Sequence, residues 1–242
     1  VGSLKGTVTL DTSAATLTAL SINSTGAANA ATLTNTGGKL ATLTITGDKA
    51  LTLTESLASV TTINASAATA AVKVIGSGAT QATTFAFTGG SGNDELTMTG
   101  TSIVKTQTLD GGAGTADRLI VSDQNTTAFA TVAAGVNAAK NFEILGFKGA
   151  DAAAGATAAA LAFDASLVTS VSSFALTTAI ANATQNTAGT GSAAVAVTGV
   201  GNTQSFIFDA DATGQKGKAG GNDLGGSATT FAPSVDNGSN VL

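Results

Sequence analysis

Short segments that alternate apolar residues with threonine, serine or asparagine recur along the first part of this 242-residue chain. A period of two, enriched in β-branched residues, is typical of strands with one buried face. Glycine, asparagine and aspartate occupy the gaps, where they favour turns. The sequence therefore predicts an all-β protein with about one short strand per ten residues. The segments are GTVTL (6–10), ATLTAL (15–20), ATLTN (31–35), ATLTI (41–45), ALTLT (50–54), VTTINAS (60–66), AVKVI (71–75), TFAFT (84–88) and ELTMT (95–99).

A longer unit also recurs, as LTALSINSTG (17–26), LATLTITGDK (40–49) and LASVTTINASA (57–67). Each copy begins with leucine and ends in an isoleucine step followed by small or polar residues. Repeats of this length indicate stacked rungs, in which each rung buries its apolar face on the next. We therefore predict short strands stacked in a β-solenoid or β-roll. A β-sandwich is the alternative, because strands at this spacing fit it too.

The amino-acid composition and patterning change after about residue 125. The stretches 127–145 and 151–176 are rich in alanine with some helical spacing, which predicts short helical insertions. Strand patterning then returns in SFAL, AAVAVTG and QSFIFDA. This predicts a strand-repeat region over 1–125 and an alanine-rich, mixed β region over 126–242, with one continuous domain as the alternative.

The composition excludes several functions. The chain has no histidine and no cysteine, so Ser-His and Cys-His triads, disulfides and most zinc sites are impossible. LDTSA (10–14) only superficially matches an aspartic-protease loop, and its weak partner FDAS (163–166) lacks the pattern. Tryptophan and tyrosine, which form the sugar platforms of many glycosidases, are absent. We therefore predict that the chain is not an enzyme.

The charges also limit the partners. Charged residues make up 10% of the chain, the net charge is −5, and Arg118 is the only arginine. Nucleic-acid binding needs clustered lysine and arginine, so we expect none. No apolar run approaches the ~20 residues of a membrane-spanning helix, so we expect no membrane insertion.

Two glycine-rich turns carry most of the chemistry. GGSGNDELT (89–97) satisfies every position of the pattern G-G-x-G-x-D-x-U-x, in which the aspartate binds calcium and the apolar residue enters the core. LDGGAGTADRLIV (109–121) repeats the glycines, but its aspartate arrives one residue later. The glycines would allow positive φ angles and turn carbonyl groups inward. Calcium takes six to eight oxygens, so two stacked turns would have to share the ion.

A third acidic stretch, DADATGQKGKAGGND (209–223), begins like the first half of an EF-hand loop. It is a second candidate calcium site, with Asp223 as a closing carboxylate. The predicted metal ligands are Gly90, Gly92, Asn93 and Asp94 in the first turn, Asp110, Gly112, Gly114, Asp117 and Asp123 in and beside the second, and Asp209, Asp211, Thr213 and Asp223 in the third stretch.

The two glycine turns resemble those of the repeats-in-toxin (RTX) family. The strands before them, and the segments NFEILGF and AFDASLVTSVSS after them, resemble bacterial S-layer proteins that carry such turns. The resemblance implies a secreted, calcium-binding surface protein that assembles with copies of itself into a lattice, with a cell-surface polysaccharide as a second partner. An RTX-type secreted adhesin or surface-binding module is the alternative. One complete copy and one irregular copy do not predict a long calcium β-roll.

Overall fold

The computed structural model describes residues 5–11, 17–36, 38–55, 59–76, 81–122, 129–147, 161–176, 195–198, 204–208, 218–219, 222–223, 234–236 and 239–241. The helical elements among them are α1 (Phe129–Val136) and two 3₁₀ turns, Gly100–Ser102 and Ala165–Leu167. The strands are β1 (Lys5–Asp11), β2 (Ala19–Ser24), β3 (Asn29–Thr36), β4 (Thr42–Gly47), β5 (Leu51–Glu55), β6 (Thr62–Ala68), β7 (Val72–Gly76), β8 (Ala86–Thr88), β9 (Glu95–Met98), β10 (Thr108–Asp110), β11 (Arg118–Val121), β12 (Ile144–Phe147), β13 (Leu161–Asp164), β14 (Ser173–Leu176), β15 (Val195–Thr198), β16 (Ser205–Phe208), β17 (Lys218–Ala219), β18 (Asn222–Asp223), β19 (Ser234–Asp236) and β20 (Ser239–Val241).

The strands form a β-solenoid, which confirms the predicted fold class. A nine-stranded sheet has the order β1-β3-β5-β7-β9-β11-β12-β14-β16, and a five-stranded sheet has the order β10-β8-β6-β4-β2. Neighbouring strands in both sheets are parallel. From β2 to β11, successive strands along the chain alternate between the two sheets, so each coil contributes one strand to each sheet. The nine-stranded sheet runs without interruption past residue 125, from β11 to β12.

The longer sequence repeat corresponds to the first strand of successive coils. The first two copies contain β2 and β4, the third overlaps β6, and these strands are neighbours in the five-stranded sheet. Leu20 pairs with Leu43, and Leu43 with Ile63, so the apolar positions of the repeat stack on one another. The repeat therefore reports the stacking of coils, as predicted.

The core lies between the two sheets, in two columns of apolar side chains. The column from the five-stranded sheet contains Leu43, Ile63, Phe87 and Leu109, which are register partners and buried. The column from the nine-stranded sheet contains Leu53, Val74, Leu96, Leu119, Leu145 and Phe174. Leu96 thus enters the core directly after the first glycine turn, as its motif predicts.

Helix α1 lies between β11 and the point at Lys140 where the chain returns to the five-stranded sheet, and it confirms a helical insertion within 127–145. Its buried residues Phe129, Val132, Ala133 and Val136 recur at helical spacing. After the helix, the chain touches the edge of β10 through a single bridge between Asp110 and Lys140. The five-stranded sheet therefore ends at β10, while the nine-stranded sheet continues.

Two segments differ from the prediction. In the alanine-rich stretch 151–176, the described residues form β13, a 3₁₀ turn and β14 instead of an α-helix, because LAFD and SFAL pair with neighbouring parallel strands. In the described part of the ATLTAL segment, residues 17–20, the strand begins at Ala19. The strands predicted in SFAL, AAVAVTG and QSFIFDA are present as β14, β15 and β16.

The remaining strands form two small sheets. One has the order β13-β15-β20-β19, and the other pairs β17 with β18. Both contain antiparallel pairs, unlike the solenoid.

Candidate functional site

The two glycine turns stack where the chain passes from the five-stranded sheet to the nine-stranded sheet. Residues 89–94 join β8 to β9, residues 111–117 join β10 to β11, and we call the two turns together the glycine corner. The amide of Gly89 donates to the carbonyl of Asp110 (2.9 Å), and the amide of Ala113 donates to the carbonyl of Gly90 (2.8 Å). The predicted stacking of the two turns is therefore confirmed.

The glycines of this corner allow neighbouring coils to approach closely. A Cβ at Gly90 would lie 2.1 Å from the carbonyl oxygen of Ala68, and one at Gly114 would lie 2.5 Å from that of Gly92. The predicted positive φ occurs within these turns only at Gly112 (φ +101°). For the other turn glycines that prediction was wrong, because backbone contact between coils, and not a left-handed conformation, excludes a side chain there.

Asp94 is buried and its carboxylate caps backbone amides. The amide of Val72 donates to Oδ1 and the amide of Gly90 donates to Oδ2, both at 2.6 Å. Val72 is in β7, one coil before β9, and Gly90 is in the same turn as Asp94. The side chain therefore joins its own turn to the start of the neighbouring strand.

Asp117 repeats this role one coil later. It is fully buried, and its Oδ1 accepts the amide of Asp94 (2.6 Å). The amide of Asp117 in turn donates to Oε2 of Glu143 (2.8 Å), which directly precedes β12. Asp94, Asp117 and Glu143 thus form a carboxylate ladder, in which each acid precedes a strand of the nine-stranded sheet and caps an amide of the coil before it.

One oxygen of this ladder lacks a partner. Oδ2 of Asp117 is buried and accepts no hydrogen bond of ordinary geometry, while the amide of Gly114 lies close enough to the carboxylate to lower its pKa. Burial raises the pKa of Asp117 from 3.8 to about 6, and the negative charges of Asp94 and Glu143 act in the same direction, against the backbone amides of Asp94 and Gly114, which lower it. Burial also raises the pKa of Asp94, despite its two amide donors. The corner therefore holds acidic groups whose charge is poorly compensated.

The other polar candidates hold the turns together. Oδ1 of Asn93 accepts the amide of Thr115 (3.1 Å). Oδ1 of Asp110 accepts the amide of Gly112 (3.0 Å) and the side-chain amide of Asn141 (2.8 Å). Thr115 thus pairs with Asn93, and Asp117 pairs with Asp94, the residue after Asn93. The extra residue of the second turn is therefore accommodated between Thr115 and Asp117, and the ladder keeps its register.

The predicted ligands converge only in part. The carbonyl of Gly92 and the carboxylate of Asp117 both pack closely against Gly114, where a Cβ would lie 2.5 Å from Gly92 O and 2.7 Å from Asp117 Oδ2. Asp123, Asp209, Asp211 and Thr213 lie outside the described residues. Asp223 is in β18, opposite Lys218 of β17, and its side chain also lies outside the described part.

The residues at Gly114 fit a hard cation, although they are few. Asp117 Oδ2 and Gly92 O are oxygen donors of the kind that calcium prefers, and the carboxylate oxygen has no hydrogen-bond donor. Among the described residues no three acidic, histidine or cysteine side chains cluster as metal ligands. Backbone carbonyl groups would therefore have to supply much of any coordination shell.

Glu143 is the ladder residue that the sequence analysis missed. A signal existed, since in NFEILGF the acid directly precedes an apolar strand, as Asp94 and Asp117 do. It lacks a preceding glycine turn, however, and the turn motif therefore does not detect it.

Comparisons with protein-family models, curated proteins and solved structures gave no match. In the described part of the chain, no helix has the length and apolar character needed to cross a bilayer.

Proposed function

We propose that this chain is a structural protein, a calcium-stabilised unit that assembles with copies of itself into a bacterial surface layer outside the cell. The observation that carries the calcium part is the unpartnered Oδ2 of Asp117, buried beside the carbonyl of Gly92 in the stacked glycine turns. A buried carboxylate oxygen without a donor is costly, and a bound cation would remove that cost.

Calcium would act by linkage to folding. Asp94, Asp117 and Glu143 occupy successive rungs, and rungs of a sheet are ~4.8 Å apart. Without a cation, these charges repel one another in a setting with little solvent. An ion that binds only the folded corner stabilises the fold and its contacts with other copies.

The surface of the solenoid supports the assembly part. Ser21, Thr44, Asn64 and Thr88 are register partners along the five-stranded sheet, at solvent-accessible positions that alternate with buried core residues. This row carries no charge until Asp110 at its end. Flat sheets without charges associate readily, which is a liability in a monomer and useful in a lattice.

Calcium binding is tested by calorimetric titration of the full chain and of Asp117→Asn. The asparagine keeps Oδ1 for the Asp94 amide and replaces the unpartnered oxygen by an amide group. We expect the variant to fold and to lose one calcium ion or at least tenfold in affinity. Asp48→Asn is the control, because Asp48 is exposed, pairs with Lys49 (2.8 Å) and lies in the turn between β4 and β5, outside the glycine corner. Equal binding by Asp117→Asn and the unmodified chain would contradict the calcium site.

Assembly is tested by electron microscopy of the chain with and without millimolar calcium, the range in which extracellular calcium modules bind. We expect ordered two-dimensional sheets with calcium and dispersed particles after chelation. Monomers that bind a polysaccharide or a host surface under both conditions would favour the adhesin alternative and overturn the lattice role.

A further inference from the structure

The edge of the five-stranded sheet at β2 is open in the described part of the chain. β2 pairs with β4 on one side, and no described strand pairs with its other side. The amide of Thr42 donates to the carbonyl of Thr18 (3.0 Å), and in a parallel pair every second residue bonds to a given neighbour. The backbone groups of Ala19, Ser21 and Asn23 therefore point away from β4, toward the open edge.

The apolar side chains of β2 are also incompletely covered. Leu20 and Ile22 are half-buried and pack against the core. Their register partners in β4, Leu43 and Ile45, are fully buried. β2 contains no charged residue and no proline, which are common means of keeping an edge strand from pairing with another chain. This end of the solenoid therefore lacks the protection that an exposed edge usually has.

The other end of the coils is closed by a hairpin. After α1, the strands β12 to β16 alternate between the nine-stranded sheet and the four-stranded sheet. β15 pairs with β13 in parallel on one side and with β20 antiparallel on the other. Asp236 of β19 is the register partner of Ser239 of β20, and the two residues between them are Asn-Gly, a preferred pair for tight hairpins. The edge of β15 is therefore occupied, and a head-to-tail stack of copies would find no free strand there.

A second copy of the chain is complementary to the open edge. Two copies related by a two-fold axis would bring their β2 strands together antiparallel. With Ser21 at the axis, Leu20 of each copy lies opposite Ile22 of the other, so apolar residues meet and no like charges oppose each other. At the same end, β1 is the edge strand of the nine-stranded sheet, and it begins with Lys5 and ends with Asp11. The same axis brings the Lys5 end of one β1 toward the Asp11 end of the other, and these ends carry opposite charges.

We propose that two copies of the chain join edge to edge into a two-fold symmetric dimer, in which their β2 strands form an antiparallel pair centred on Ser21. The pair satisfies the backbone groups of the open edge and covers Leu20 and Ile22. It uses neither the glycine corner nor the outer face of the five-stranded sheet. The dimer is therefore independent of calcium and of the contact proposed for the lattice.

Sedimentation velocity of the full chain, with a chelator present, tests the dimer. We expect the unmodified chain to be dimeric, and Ile22→Lys to associate at least ~10-fold more weakly, because it places like charges at the apolar part of the edge. Thr44→Lys is the matched control, since it places the same charge one strand away, on the outer face, and it should remain dimeric. A monomeric unmodified chain, or equal association of Ile22→Lys, would overturn the proposal.

Cross-linking locates the contact without disturbing the apolar part of the edge. The chain has no cysteine, so Ser21→Cys carries a single thiol. In the proposed pair this residue faces its own copy, with about 5.5 Å between the two Cα atoms, and a short bismaleimide should join the chains. Thr108→Cys is the control and should not be joined. Thr108 is exposed on β10, at the far side of the same sheet, so its two thiols would lie roughly 40 Å apart in the dimer.

Two further results would overturn the edge contact. A dimer that is cross-linked through Thr108→Cys but not through Ser21→Cys would place the contact on the outer face of the sheet. A monomer in which the amides of Ala19, Ser21 and Asn23 exchange slowly with solvent would mean that the chain itself covers the edge.

Discussion

Asp117 combines two roles that conflict. Its Oδ1 is a structural acceptor for the Asp94 amide, which requires the side chain to be buried between coils. Burial without a donor for Oδ2 then penalises the ionised form and raises the pKa of the group to about 6. A proton or a cation relieves the penalty, so the stability of the corner depends on which of them is available.

The sign of the pH dependence follows from this shift. The folded protein holds the Asp117 proton more tightly than the unfolded chain, whose aspartate has its usual pKa of 3.8. Between about pH 4 and pH 6, rising pH therefore lowers the free energy of unfolding, by roughly 3 kcal/mol in total. Urea unfolding of the metal-free chain at several pH values measures this fall.

Asp117→Asn should remove most of the fall in that window, because the asparagine does not titrate. The raised pKa of Asp94 acts in the same direction and leaves a smaller residual slope. A variant whose stability follows the same pH curve as the unmodified chain would show that Asp117 ionises freely in the folded state.

At the scale of elements, the glycine corner is a backbone-to-backbone contact between coils. The turn glycines are required because a backbone group of a neighbouring coil lies where the Cβ atom of a larger residue would be. The carboxylate ladder completes the contact, since it caps amides at the starts of successive strands. The same turn thus supplies close packing and hydrogen-bond acceptors.

Gly90→Ala tests this packing. Its Cβ would meet the carbonyl oxygens of Ala68 and Ala65 at 2.1 and 2.9 Å, so we expect the coils to separate and the free energy of unfolding to fall by about 1–3 kcal/mol. Hydrogen exchange should also accelerate at the amide of Ala113, which donates to Gly90 O.

Gly38→Ala is the control for the backbone conformation alone. Gly38 has φ +64°, and its nearest neighbour would lie 3.9 Å from the new Cβ, so that substitution strains the backbone without a clash. Exchange at Ala113 should stay slow in this variant. Slow exchange at Ala113 in Gly90→Ala as well would mean that the corner yields without separating the coils.

At the scale of the whole molecule, the two sheets present different outer surfaces. The five-stranded sheet exposes small, uncharged side chains along its length. The nine-stranded sheet carries the Lys73–Glu95 ion pair (2.6 Å) on its outer face. Further along, Ile120 and Ala175 directly follow the core residues Leu119 and Phe174, so they point to the outer face of the sheet. They are nevertheless buried, and this part of the sheet is therefore covered on both faces. The five-stranded face is therefore the better surface for contacts between copies.

Thr44→Lys places a charge in the middle of that face. We expect the variant to fold, with an unfolding free energy within ~0.5 kcal/mol of the unmodified chain, and to bind calcium normally. It should no longer form ordered sheets in the electron microscope, because like charges on facing copies repel. Thr131→Lys, at an exposed position of α1, is the matched control and should assemble. Normal sheets from Thr44→Lys would place the contact elsewhere on the molecule.

Local patterns explain why much of this fold could be predicted. Alternation identifies strands because side chains point to opposite faces with a period of two, and the repeat around Leu20, Leu43 and Ile63 identifies stacking because each coil must match its neighbour. The glycine-aspartate motif located the glycine corner because all of its residues lie within one turn. The runs RLIV and ILGF, apolar throughout, also fit strands buried on both faces.

Contacts between coils could not be predicted in this way. Lys73 pairs with Glu95, Glu95 with Arg118 and Arg118 with Ile144, so the coils advance by 22, 23 and then 26 residues. With unequal steps, no fixed spacing identifies the partners: Asp94 and Asp117 are 23 residues apart, whereas Asp117 and Glu143 are 26 residues apart. The sequence by itself determined the strands, the stacked architecture and the place of the glycine turns, because these follow from residues close together along the chain. Only the tertiary structure decided which buried oxygens meet, because that depends on the register at which each coil settles on the one before it.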